Sequence, residues 1–245
     1  MTPKVTFAVI GPGKSGTTWV YEVLAAHPEV CMASAKETTY FDQNFDRGVE
    51  WYHRLFPDGA ARGATVTGEV SNTYIGSPEA PARMAAYNPA LQLVASLRNP
   101  VDRAFSHYLF LLRNDRFRGS FEELMECRQP DVFEQGRYGS HLSRYLAHFP
   151  REQLLVLAFD DLVRDAAGYA RTLSEFLRVD PTHIPPVAGQ RVLSASRPRN
   201  RLAARTVKRA AVTVRRAGVP QLVTRVKRSG AVTRMLYRPY GDDDR

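Results

Sequence analysis

Residues 7–20 read Phe-Ala-Val-Ile-Gly-Pro-Gly-Lys-Ser-Gly-Thr-Thr-Trp-Val and constrain this chain more than any other segment. An apolar run passes into a glycine-rich turn holding one lysine and three hydroxyl residues, and that turn opens a helical pattern. Glycines let backbone N–H groups converge on an anion, and the helix that follows adds the positive end of its dipole. Lys14 brings a full charge, while Ser15, Thr17 and Thr18 bring hydroxyl donors. In the nucleotide triphosphatase loop, G-x-x-x-x-G-K-[ST], the lysine follows the second glycine and a magnesium-binding hydroxyl comes next. Here Lys14 precedes Gly16. The segment is expected to be an anion cradle that holds phosphate.

The remaining pattern surrounds this turn with an α/β fold. Short apolar runs at residues 6–10, 91–97 and 154–159 read as parallel strands buried on both faces, with 66–70 and a short 30–32 as further strands. Helical patterns fall between them, at 17–26, 80–86, 101–113, 120–127, 140–148 and 169–177. The alternation predicts a P-loop-like three-layer fold with a central, mainly parallel sheet flanked by helices. Ligands in such sheets sit beyond the carboxyl ends of the strands, which is where the glycine-rich turn falls.

A second anion feature is Ser96-Leu-Arg-Asn-Pro-Val-Asp-Arg-Ala-Phe-Ser-His-Tyr108. A strand ends, Arg98 projects from its carboxyl edge, Pro100 starts a helix, and Ser106 lies two turns along. A guanidinium offers two donors to one phosphate and the hydroxyl a third, so Arg98 and Ser106 can clamp the same group.

With both features on the page, the chain resembles the sulfotransferases that use 3′-phosphoadenosine 5′-phosphosulfate (PAPS). Their 5′-phosphosulfate loop is similar to Pro12-Gly-Lys-Ser-Gly-Thr-Thr-Trp19, and their 3′-phosphate motif is similar to Arg98-Asn-Pro-Val-Asp-Arg-Ala-Phe-Ser106. Lys36-Glu-Thr-Thr-Tyr-Phe-Asp42 resembles the K-E-x-x-F-F-D segment of the heparan sulfate branch. Gly68-Glu-Val-Ser-Asn-Thr-Tyr74 resembles its G-E-K-[ST]-P-x-Y segment, and Gly136-Arg-Tyr-Gly-Ser-His-Leu142 its G-x-Y-x-x-H-L segment. The resemblance runs through roughly the first three quarters of the chain, in five ordered segments.

The resemblance implies that Gly13, Lys14, Ser15, Gly16, Thr17, Thr18 and Trp19 hold the 5′-phosphosulfate, and that Arg98 and Ser106 hold the 3′-phosphate. It implies in-line sulfuryl transfer to a hydroxyl or amine, without a metal, leaving 3′-phosphoadenosine 5′-phosphate (PAP). Lys14 would stabilise the leaving oxygen and Glu37 would act as general base, with Asp42 contacting the substrate or supporting the base. Arg197 and Arg199 lie in a basic stretch, Ser194-Ala-Ser-Arg-Pro-Arg-Asn-Arg201, that loosely resembles a loop closing over the nucleotide. Two departures point away from a polysaccharide acceptor. Thr18 stands where the heparan branch often has arginine, and Val70 replaces the lysine of its G-E-K segment. A small-molecule or lipid-like acceptor is expected instead. Glu69 reads either as a shaper of the acceptor pocket or as a buried partner for an arginine.

Charge separates the chain into two expected parts. Residues 1–196 carry 20 Lys/Arg against 22 Asp/Glu, whereas 197–238 hold 13 Lys/Arg and no acid. The overall +9 therefore belongs to a C-terminal segment and does not argue for a nucleic-acid-binding protein. A sulfotransferase domain is expected over 1–196 and a basic helical segment over 197–245, with amphipathic patterns at 202–217 and 222–236 suited to an anionic membrane or an acidic partner. Cys31 and Cys127 match no metal-ligand or redox spacing, and the first residues show no leader pattern, so a cytoplasmic location is expected. Two other function classes fit parts of the chain. Asp160, after the apolar run 154–159, imitates a magnesium-binding aspartate of a small-metabolite kinase, and the basic segment alone would suit a non-enzymatic polyanion or membrane binder.

Overall fold

Five short strands form one sheet in the order β2-β3-β1-β4-β5, and every neighbouring pair is parallel. They are β1 (Phe7–Gly11), β2 (Val30–Met32), β3 (Val66–Val70), β4 (Gln92–Leu97) and β5 (Leu154–Ala158). In this computed structural model the described residues are 4–57, 63–189, 196–198 and 237–239.

Parallel strands need crossovers, and helices supply them: α1 (Thr17–Ala25), α2 (Val49–His53), α3 (Ala80–Tyr87), α4 (Pro100–Arg113), α5 (Phe121–Glu126), α6 (Pro130–Phe133), α7 (Tyr138–Leu146), α8 (Phe159–Arg164) and α9 (Ala166–Leu177). The period of two in β1 divides the core into two layers. Phe7 and Val9 pack with Val70, Val94, Val20, Leu24, Leu173 and Leu177 on one face. Ala8 and Ile10 pack with Leu93, Ala95, Met84, Tyr52, Tyr74 and Tyr145 on the other. Both faces of the sheet are covered, which is why its strands read as continuous apolar runs.

The predicted strands and longer helices are present with shifts of a few residues at their ends. Phe159 is a correction, because it opens α8 and does not close β5. Asp160 and Asp161 in the first turn of α8 favour a helix N-terminus there. Helix α9 starts earlier than the apolar period suggests, because the Asp165 carboxylate caps it by accepting from Gly168 N at 2.8 Å. The short helices α2, α6 and α8 have no counterpart in the sequence reading.

The chain divides into two compact units, Met1–His107 with Glu122–Val192, and Tyr108–Phe121 with Leu193–Arg245. The first holds the five-stranded sheet. In the second, the Tyr108 ring meets Phe117 and Phe121 with centroids 6.2 and 5.6 Å away, and its hydroxyl donates to Gly119 O. This local cluster gives 108–121 contacts of its own. Strands β6 (Ser196–Pro198) and β7 (Tyr237–Pro239) pair antiparallel, with Arg197 opposite Arg238. The amphipathic patterns at 202–217 and 222–236 lie outside the described residues. Among the described residues, no helix is long and apolar enough to cross a membrane.

Candidate active site

Because all five strands run the same way, their carboxyl ends line one edge of the first unit. Taken in sheet order, that edge carries Glu37 after β2, Asn72 after β3, the Gly13–Lys14–Ser15 turn after β1, Arg98 after β4 and Phe159 after β5. Residues distant in sequence are brought into one row by strand order alone.

The turn has the backbone that an anion cradle needs. Lys14 and Gly16 take left-handed conformations, at φ 74° and 82°. A Cβ on Gly16 would lie 2.7 Å from Leu162 Cδ2, so a side chain there would displace Leu162 as well as strain the backbone at φ 82°. Helix α1 begins at Gly16 with no side chain capping it, which leaves its first N–H groups directed at the turn. Ser15 is wholly buried and its Oγ has no hydrogen-bond partner. An unsatisfied buried hydroxyl at an uncapped helix start fits an oxyanion of a phosphate or sulfate ester.

The rest of the turn is held from below. Ser96 Oγ donates to the Ser15 carbonyl at 2.5 Å and accepts from the Tyr169 hydroxyl at 2.8 Å. Burial pushes the Tyr169 phenol up to about 12, so it stays a donor. Thr17 is buried, whereas Gly13, Lys14 and Thr18 are half-buried. Trp19 is a core residue: its indole N–H donates to Ala188 O at 3.1 Å and its ring meets Tyr169 edge-on. The Trp19 side chain therefore supports the turn from the core side.

Arg98 sits where β4 gives way to α4, and the local sequence explains the junction. Asn99 Oδ1 accepts from Val101 N at 2.9 Å and Asp102 N at 3.3 Å, and Pro100 occupies the first helical position. The Arg98 guanidinium lies 4.9 Å over the Phe159 ring, and its carbonyl accepts from the Tyr138 hydroxyl at 2.8 Å. Ser106 is half-buried in the second turn of α4. Arg103, on the same helix, is wholly buried and donates to Val132 O. Burial pulls its pKa below the ordinary arginine value, with Tyr138 opposing.

Glu37 is the most fully held side chain on the edge. It takes φ 65°, with Thr39 at 49°, so the backbone turns sharply where β2 would otherwise continue. Its N–H donates to Val70 O at 2.8 Å. Its Oε1 accepts from Lys36 Nζ at 2.5 Å and Asn72 Nδ2 at 2.6 Å, and its Oε2 accepts from Asn72 N at 2.8 Å.

Beneath it, Glu69 is completely buried and accepts from four hydroxyls: Thr38 and Ser71 on Oε2, Tyr52 and Tyr74 on Oε1. The sequence reading of an arginine partner is corrected, since hydroxyls do the work. Burial raises the Glu69 pKa and the four hydrogen bonds pull it back. The shell also fixes the Glu37 turn, because Ser71 Oγ accepts from Thr39 N at 3.1 Å. Asp42 is half-buried and accepts from Gln43 N at 2.6 Å, while Arg83 binds the carbonyls of Phe41 and Asp42. These bonds lead away from Glu37, toward α3.

Arg197 lies in β6, where only the backbone is described, and Arg199 lies outside the described residues. Sequence reasoning missed Asn72, Ser96 and Tyr169. Tyr169 stood in a predicted helix with no motif around it, and Ser96 opened the second anion feature with no role assigned to it. Asn72 stood inside a recognised segment, at a position where that segment's pattern has proline.

Residues 5–199 match the family described as Sulfotransferase domain. The chain is 33% identical over 177 residues to heparan sulfate glucosamine 3-O-sulfotransferase 3B1 of Mus musculus, covering 69% of this chain and 45% of that protein. It is 32% identical over 194 residues to bifunctional heparan sulfate N-deacetylase/N-sulfotransferase 3 of Homo sapiens, covering 71% of this chain and 22% of that one. It thus spans less than half the length of these relatives. A crystal structure of a sulfotransferase from Alicyclobacillus acidocaldarius superposes with a TM-score of 0.67 at 27% identity, covering 91% of this chain and 96% of that one. With its parallel sheet, its glycine-rich turn opening α1 and a family match over most of its length, the chain belongs to the sulfotransferase domain family.

Proposed function

We propose that the protein transfers the sulfuryl group of PAPS to a hydroxyl or amine of a small-molecule or glycan acceptor, releasing PAP. The observation that carries the reading is the buried, unpartnered Ser15 Oγ at the uncapped start of α1, with Lys14 in the same turn. That donor set matches the 5′-phosphosulfate, whose exposed oxygens only accept. One strand along the edge, Arg98 and Ser106 would clamp the 3′-phosphate, with Arg98 held on Phe159.

On the other side of the turn, Glu37 stands where an acceptor would approach. Its carboxylate takes the proton of the attacking group as the new O–S or N–S bond forms. The S–O bond to the phosphate breaks, and its electron pair leaves on the bridging oxygen, which Lys14 and the backbone N–H groups of the turn neutralise. Positioning and charge neutralisation dominate such a transfer through a loose transition state. Val70, in place of a lysine, removes one cation from the acceptor side and favours an acceptor of low negative charge.

The reading assigns catalysis to residues 1–196, and contact with an anionic surface or acidic partner to 197–245 on the strength of its 13 Lys/Arg between 197 and 238. Cytoplasmic residence belongs to the same proposal. The test is incubation with PAPS and a panel of phenols, amines and glycans, followed by mass spectrometry. A product heavier by one sulfuryl group, with PAP released in equal amount, is expected. Intact PAPS with every acceptor, together with no binding of PAP, would overturn the reading.

A further inference from the structure

Asn72 touches both halves of the proposed chemistry. Its main chain lies so close to the phosphosulfate turn that a Cβ on Gly11 would sit 2.4 Å from the Asn72 carbonyl oxygen. Its side chain flanks Gly13, with Cβ and Nδ2 each 3.8 Å from the position a Gly13 Cβ would take. From there it reaches Glu37 twice, the main-chain N–H donating to Oε2 at 2.8 Å and the amide Nδ2 to Oε1 at 2.6 Å. One residue therefore grips both oxygens of the base while lying against the turn that would hold the sulfuryl group.

The bond from Nδ2 needs the asparagine side chain, and the bond from the main chain needs any residue but proline. The segment resembles the pattern G-E-K-[ST]-P-x-Y, and Asn72 stands at the proline of that pattern. A proline has neither a main-chain N–H nor an amide, so it could make neither bond.

The Asn72 amide is also left half-satisfied. Because Nδ2 is committed to Glu37, the amide cannot flip, and Oδ1 is directed away from the carboxylate. That oxygen is buried and has no hydrogen-bond partner. Sulfuryl and phosphate oxygens only accept, so the partner that completes it must be a donor. An attacking amine, which would come between Glu37 and the turn, is such a donor, because it keeps an N–H for Oδ1 when another proton goes to Glu37, whereas a hydroxyl has only the proton that Glu37 takes.

We propose that Asn72 is a positioning residue for sulfuryl transfer: it locks the Glu37 carboxylate against the phosphosulfate turn, and its Oδ1 receives a hydrogen bond from the second N–H of an attacking amine, the first proton passing to Glu37. The inference rests on the sulfotransferase reading given above. No covalent step is added, since the proton still passes to Glu37 and Asn72 stays neutral throughout.

A graded pair of variants tests it. Asn72→Ala keeps the main-chain N–H and loses the amide, whereas Asn72→Pro loses both donors. Crystal structures of the full chain with PAP are compared for wild type and Asn72→Ala, with calorimetry of PAP and PAPS turnover measured beside them using 4-nitrophenol and benzylamine as acceptors. Wild type is expected to show an ordered water or acceptor atom on Asn72 Oδ1. In Asn72→Ala, Glu37 is expected to leave its place while PAP affinity changes by less than about twofold and kcat falls about ten- to a hundredfold, with KM for PAPS little moved. Asn72→Pro should lower kcat further, and if it does not fold, the alanine variant decides alone. An unmoved Glu37 in Asn72→Ala, or an Oδ1 bonded to a protein N–H in the PAP complex, would overturn the proposal whether or not either acceptor reacts. A failure of the parent reading shows itself differently, as loss of PAP binding already in wild type.

Discussion

The Tyr52 hydroxyl lies 2.6 Å from Glu69 Oε1 inside a shell where both residues are completely buried. A carboxyl group is thus placed in the core among four hydroxyl donors, and the Glu37 turn is built on top of it. Removing one donor leaves the others in place but exposes Glu69 to part of its desolvation cost. Tyr52→Phe is expected to lower stability by about 1–3 kcal/mol, read by chemical denaturation. A change near zero would show that water replaces the phenol.

The same group gives stability a pH dependence. Burial raises the Glu69 pKa above its ordinary 4.5, so the folded state holds the proton more tightly than the unfolded chain does. Its contribution is therefore full below about pH 4.5 and is lost as pH rises through the raised folded value. Glu69→Gln carries no ionisable group and escapes that loss. The stability of the glutamine variant relative to wild type should improve as pH is raised from about 4.5, in melting curves at matched ionic strength. A constant difference across that range would contradict the assignment.

Glu37→Gln keeps the shape of the side chain and removes its capacity to take a proton. Turnover should fall about a hundred- to ten-thousandfold with PAP affinity nearly unchanged, measured by PAPS consumption and by calorimetry. Wild-type rates in this variant would move the base elsewhere on the edge.

Lys14→Ala removes the cation from the turn. Loss of transition-state charge neutralisation should lower turnover by roughly a hundred- to a thousandfold, more than any accompanying rise in KM for PAPS. Equal effects on turnover and on PAP binding would limit Lys14 to holding the nucleotide.

The central sheet was readable because each strand is a short apolar run bounded by turn residues, and Glu37 and Arg98 were readable because each stands in a recognised segment. Their surroundings were not. Glu69 gains its four hydroxyls only after β2 and β3 pair and bring Thr38 beside Ser71. Asn72 reaches Gly13 only because β3 lies next to β1. Trp19 looked like part of the phosphosulfate turn by position, yet the helical period of α1 turns it into the core beside Tyr169. Phe159 looked like the last residue of a strand because apolar residues carry no mark of where β5 stops and α8 begins. Contacts that depend on strand order have no local signature, whereas motifs do.

Under the proposed function, one edge of the sheet recognises a nucleotide bearing a 3′-phosphate beside the glycine-rich turn. The most direct measurement is titration calorimetry of PAP against adenosine 5′-phosphate, on wild type and on Arg98→Ala. Charge-assisted hydrogen bonds from Arg98 should make wild type bind PAP about ten- to a hundredfold more tightly, and the variant should lose most of that preference. Equal binding of the two nucleotides by wild type would contradict it.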